Sequence, residues 1–60
     1  MNRYNMEAYE SGYRLGRMDG FIGRSNEYAW ADANAEDGYV RNYGQGYRDG
    51  FENAFKEELV

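Results

Sequence analysis

The sequence predicts an all-helical fold, a two-helix hairpin packed through glycine stripes and open to dimerisation. Three observations lead there. Small residues recur at every fourth position, as Ala8, Gly12, Gly16 and Gly20 and again as Gly46, Gly50 and Ala54. Large ones do the same, as Tyr39, Tyr43, Tyr47, Phe51, Phe55 and Leu59. Residues four apart share one face of a helix. Finally, the pattern is duplicated. Tyr9, Gly12, Tyr13, Arg14 and Gly16 return 34 residues later as Tyr43, Gly46, Tyr47, Arg48 and Gly50, and Phe21 meets Phe55 at the same offset. A repeat of this length implies two copies of one structural unit.

The first helix is expected from Met6 to Ile22, with Asn5 as its N-cap and Gly23 at its C-terminal end. Leu15, Met18 and Ile22 give it a second apolar edge. Residues 23–34 read as a linker. The second helix is expected from Ala35 to Glu58, capped by Asn34, with Glu36 and Asp37 favourably placed in its first turn. One helical domain then spans residues 1–60. Glycine argues against helix, at about 1 kcal/mol per residue relative to alanine. Its confinement to one stripe gives the reason for its presence: without a Cβ, another backbone or ring can come close.

A chain of 60 residues is marginal as an independent fold. It has no cysteine for a disulfide and no histidine, so a zinc site built on those residues is excluded. Tight packing, self-association or a partner must supply the stability. No apolar run approaches the roughly 18 residues of a membrane span, and Met1-Asn2-Arg3-Tyr4-Asn5-Met6 has no signal-peptide character. The expectation is a cytoplasmic protein with no membrane partner. Aromatics are abundant, seven Tyr, three Phe and one Trp, which suits both a core short of aliphatics and an interface.

Catalysis lacks its parts. Without histidine, Ser11 and Ser25 have no usual base, and Lys56 is the only lysine. Asp32, Asn34, Glu36 and Asp37 resemble a calcium loop only superficially. The sixth position holds Asp37 instead of glycine, and the twelfth holds Tyr43 instead of glutamate. The chain is expected to be no enzyme and to need no cofactor or metal. Its net charge of -4 repels nucleic acid at long range. The charge is uneven, however. Residues 1–24 carry Arg3, Arg14, Arg17 and Arg24 against three acids, while residues 25–60 carry Arg41, Arg48 and Lys56 against eight. Arg14, Arg17 and Arg24, with Tyr13 beside them, form an arginine–aromatic set of the kind that contacts RNA, or else a solvated face paired with Glu10 and Asp19.

Two segments resemble the ribosome modulation factor family, which includes Rmf/CrpP-type proteins of bacteria and their phages. Gly16-x-x-x-Gly20-x-x-Gly23-Arg24-Ser25-x-Glu27 is similar to the family's glycine-rich helix and its GRSxE ending. Arg41-x-Tyr43-x-x-Gly46-Tyr47-Arg48-Asp49-Gly50 is similar to a segment that carries Trp at both aromatic positions. The resemblance implies two helices joined by a linker. For the type member it also implies binding to the small ribosomal subunit near the messenger exit region, with translation silenced. The type member is strongly basic and this chain is acidic.

Two functions follow as expectations. In the first, the protein regulates translation by associating with the ribosome. Arg14, Arg17, Arg24 and Arg48 then contact phosphates, while Tyr13 and Tyr47 stack on bases. In the second, it is an acidic, phage-type inhibitor of a host protein. Glu27, Asp32, Glu36 and Asp37 then meet a basic site that otherwise holds nucleic acid. Homodimer formation is the remaining partner expectation. It predicts a thermal midpoint that rises with protein concentration. A constant midpoint over roughly a hundredfold dilution, with a monomeric mass, rejects self-association.

Overall fold

The computed structural model describes residues 3–59; the part of the N-terminal reading that rests on Met1 and Asn2 lies outside them. All the regular structure among the described residues is helical: α1 spans Arg3–Ile22, α2 spans Glu27–Ala31 and continues as a 3-10 turn at Asp32–Asn34, and α3 spans Gly38–Glu58. The two long helices pack on each other along their small-residue stripes, as the sequence leads one to expect. Ala8, Gly12, Gly16 and Gly20 of α1 are buried, as are Gly46, Gly50 and Ala54 of α3.

The contact is backbone on backbone. A Cβ at Gly12 or Gly16 would fall inside the van der Waals shell of the carbonyl oxygen of Tyr43 or Tyr47, and one at Gly20 would lie 2.5 Å from that of Phe51. The reverse holds from the other side, where Gly46 and Gly50 sit under the carbonyls of Tyr9 and Tyr13. At such an approach Cα–H···O=C contacts form, each contributing about 0.5–1 kcal/mol. Together with the dispersion gained at short range, they offset the helix propensity that glycine gives up.

The register of these contacts gives the helix direction. Gly12, Gly16 and Gly20 meet Tyr43, Tyr47 and Phe51 in rising order, so α1 and α3 run parallel. Tyr4 meets Tyr39 at their N-terminal end, with ring centroids 4.5 Å apart and the planes tilted by 42°, and Gly23 faces the Phe55 ring at the other end. A 20-residue helix is about 30 Å long, close to the 35 Å long axis of the molecule. The chain between the two helices must therefore travel back along that length, which a tight turn cannot do.

The linker accordingly has structure of its own. Gly23 ends α1 with φ +79°, in the left-handed region that glycine adopts freely. Asn26 caps α2, its Oδ1 accepting from the backbone N–H groups of Tyr28 at 2.9 Å and Ala29 at 3.2 Å. The segment then runs antiparallel to α3 and packs on it. Ala33 and Asp32 lie against Gly44, where any Cβ would clash with their backbone. Three boundaries differ from the sequence reading. α1 begins at Arg3, which puts Asn5 inside the helix instead of at its cap. α3 begins at Gly38 and is capped by Asp37, whose Oδ1 accepts from Val40 N at 3.0 Å, because Ala35 is extended and Asn34 ends the 3-10 turn. Residues 27–31 are helical where only a connection was expected, because Asn26 and Glu27 supply a cap and a first-turn charge.

Substituting alanine at Gly16 or Gly46 should cost about 2–3 kcal/mol in urea unfolding, although alanine is the better helix former by about 1 kcal/mol. Gly38, whose added Cβ would meet nothing nearer than 3.8 Å, is the internal control. Gly38→Ala should change stability by less than about 0.5 kcal/mol or improve it.

Candidate binding surfaces

Parallel packing gives the helix pair two flanks. On one, the α3 residues Tyr43, Tyr47 and Phe51 face the linker, and Tyr47 is fully buried, 0% exposed. Its hydroxyl donates to Asp19 of α1 and accepts the backbone N–H of Asn26 at 2.8 Å, so one phenol ties α1, α3 and the linker together. Trp30 stands edge-on to Phe51, with centroids 5.7 Å apart. Arg48 lies over Trp30 at 5.2 Å and donates its Nε–H to the Trp30 carbonyl at 2.8 Å.

The other flank is open and polar. Tyr9 donates to Asp49 at 2.5 Å, Asn53 donates to Tyr13 at 2.8 Å, and Arg17 forms a bidentate pair with Glu57 at 3.0 and 3.3 Å. Arg17 also lies 5.2 Å over the Phe21 ring. The rings of Tyr9 and Tyr13 are 6.1 Å apart and stacked. With Glu10 and Arg14 they line a shallow cleft of about 250 Å³.

Hydrogen bonding and burial shift three groups. The bond to Asp49 is the main cause that pushes the Tyr9 phenol up to about 12. Burial, then Asp19, raises the Tyr47 phenol above its ordinary value. The hydrogen bonds to Glu57 hold the Arg17 guanidinium above its usual range.

The six residues expected to meet RNA are thus dispersed. Arg17 belongs to Glu57 and Arg48 to Trp30. Tyr47 has no surface to offer a base, and Tyr13 is half-buried and bonded to Asn53. Arg14 is exposed, 80% at its side chain, with Glu10 at 4.0 Å. Arg24 is exposed beyond the end of α1; its backbone N–H donates to the Asp19 carbonyl at 3.2 Å, and its side chain forms no ion pair among the described residues. The anticipated pairing of the cluster with Asp19 is replaced by Asp19–Tyr47.

The four acids fare differently. Glu27, Glu36 and Asp37 are exposed and Asp32 is half-buried, and none of the four forms an ion pair among the described residues. Tyr28 stands among them, 78% exposed. Sequence reading missed Tyr9, Asn26 and Trp30. The repeat does mark Tyr9 as the counterpart of Tyr43, whereas Trp30 and Asn26 have no periodic signal. Parallel packing also brings Met18, Phe21, Ile22, Phe55 and Leu59 to one end, where all five are exposed.

Among the described residues no group of acids is placed to hold a metal ion, and no helix is long and apolar enough to cross a membrane. No family model, curated protein or solved structure matches the chain. The resemblance to ribosome modulation factors therefore rests on residues 16–27 and 41–50 alone.

The tyrosine bonds predict a defined alkaline limit. A phenol whose pKa is higher folded than unfolded contributes its full stability below the unfolded value, and that stability is lost as pH rises through the folded value. Unfolding free energy should therefore hold level up to about pH 10 and fall between pH 10 and about 12. Tyr9→Phe should flatten part of that fall. Tyr47→Phe should cost about 1–3 kcal/mol at neutral pH, because Asp19 and the Asn26 N–H both lose their partner.

Proposed function

We propose that this chain is a small, non-enzymatic, cytoplasmic binding protein whose acidic linker ridge docks on a basic site of a protein partner, a site of the kind that otherwise holds nucleic acid. The observation that carries this reading is the distribution of satisfied charge. Two of the four arginines assigned to phosphates are consumed in holding the fold, whereas none of the four linker carboxylates has a cation among the described residues and only Asp37 is engaged, as the cap of α3. Unpaired charge on a rigid ridge provides complementarity and fast association with a basic surface. An exposed aromatic such as Tyr28 supplies the kind of anchor that interfaces concentrate.

A second reading, ribosome association with regulation of translation, is favoured by Arg24. It stands exposed within the Gly23-Arg24-Ser25-x-Glu27 segment that resembles the ribosome modulation factors.

Charge reversal separates the two. Asp32→Lys with Glu36→Lys should abolish capture of a basic protein partner by the tagged chain, while Arg14→Glu with Arg24→Glu leaves it intact. If the ribosomal small subunit co-sediments instead, and the glutamate pair loses it while the lysine pair tightens it, the ribosome reading replaces the acidic one. Arg14, Arg24 and Glu36 are exposed and Asp32 is half-buried, so circular dichroism of both variant pairs should report unchanged helix content before binding is compared.

A further inference from the structure

The repeat makes the two flanks near-equivalent. At the 34-residue offset Tyr13 corresponds to Tyr47, Arg14 to Arg48 and Glu10 to Gly44. The corresponding residue pair is hydrogen-bonded on both, with the direction reversed: Tyr47 donates to Asp19, whereas Tyr13 accepts from Asn53. On the covered flank this set of residues holds a defined ligand, the C-terminal end of a short helix. Arg48 lies over the aromatic ring of Trp30 and donates its Nε–H to that residue's carbonyl at 2.8 Å, one residue before α2 ends, while the ring itself rests edge-on to Phe51, whose counterpart on the open flank is Arg17. On the open flank the corresponding arginine and tyrosine, with Tyr9 and Glu10, line a cleft of about 250 Å³.

We propose that this cleft is a second docking site of related chemistry, used in trans: it takes the C-terminal end of a helix from a partner protein, with an aromatic side chain held under Arg14 and beside Tyr13. Charge complementarity supports that occupant. The end of a helix carries unsatisfied carbonyls and partial negative charge, and Arg14 is an exposed cation whose one ionic neighbour among the described residues is Glu10 at 4.0 Å. The difference between the flanks refines the occupant. Gly44 lets the linker backbone lie directly on α3, whereas Glu10 holds a visiting backbone away. The trans ligand therefore reaches the cleft through its side chain, and a Lys, Arg or free N–H beside its aromatic would meet the Glu10 carboxylate. Glu10, Asp49 and Glu57 on this flank oppose a phosphate chain. The site is on the flank opposite the acidic linker, so its failure would leave the proposed function standing.

The probe is a synthetic peptide of residues 25–34, which carries Trp30, titrated into the isotope-labelled full chain and followed by NMR. Saturable shifts at Tyr9, Glu10, Tyr13 and Arg14 are expected, and a Trp30→Ala peptide should not produce them. Arg14→Gln should weaken binding by about tenfold. Glu10→Gly, which copies Gly44, should tighten it severalfold while Arg14→Gln and wild type keep the same spectrum elsewhere. Absence of shifts up to millimolar peptide overturns the proposal, as do shifts confined to the Tyr47 and Phe51 flank, which mean exchange with the chain's own linker. Shifts of the cleft residues on simple dilution assign the cleft to a second copy, and shifts with an oligouridine in place of the peptide assign it to nucleic acid; either result overturns it.

Discussion

Carbonyl oxygens of each long helix rest on the α-carbons of the other at Gly12, Gly16, Gly46 and Gly50, an approach that no residue with a Cβ could tolerate. With the axes so close there is no room for large side chains between them, so the aromatics are expelled to the two flanks. The core that remains is Ala8, Ala29, Ala54, the glycines and a single large side chain, Tyr47. Burying alanine and glycine removes little apolar area from water, and hydrophobic burial at about 25 cal/mol per Å² cannot carry such a fold unaided. Stability falls instead to backbone dispersion and to the hydrogen bonds that the expelled tyrosines make at the edges.

Those edge bonds explain why Arg17 is held in the fold while Arg14 and Arg24 stay exposed. Once the backbones meet, the stripe residues' neighbours are forced into facing rows, and Tyr9, Tyr13 and Arg17 meet Asp49, Asn53 and Glu57. Arg17 closes the row by a bidentate pair and a ring contact, the geometry in which arginine outperforms lysine. Arg41 does comparable work at the far end, donating to the Glu36 carbonyl at 3.1 Å. The acids of the linker sit outside these rows, and so they keep no cation partner among the described residues, while Arg17 is drawn into the packing of the helix pair.

The glycine stripe and the repeat were legible because a four-residue phase survives in the sequence, and they correctly placed both long helices and their contact. Helix direction was not legible. A stripe has the same period read in either sense, so Gly12, Gly16 and Gly20 would pack as well against an antiparallel partner; only the pairing with Tyr43, Tyr47 and Phe51 settles it. α2 was missed because five residues hold barely more than one turn, too short for any periodicity, and its identity lies in the Asn26 cap. The fate of Tyr47 was equally hidden. Tyr13 and Tyr47 occupy the same place in the repeat, and what buries one of them is the linker, which the repeat does not contain.

That linker is what breaks the symmetry of the molecule, and a single pair of positions decides where it lies. Two parallel helices related by a repeat present equivalent grooves, yet one connecting segment can fill only one. Gly44 admits the backbone of Asp32 and Ala33 at van der Waals contact, and Glu10, its counterpart, would exclude it. Arg48 then finds Trp30, and Tyr47 becomes the one large buried side chain. On the opposite flank the same constellation of tyrosine and arginine is left with solvent and a carboxylate. The asymmetry of this small fold is therefore a matter of occupancy laid over a nearly symmetric scaffold, which is why two residues of equal rank in the sequence, Tyr47 and Tyr13, hold opposite positions, one sealed beneath the chain's own helix end and one lining a surface cleft.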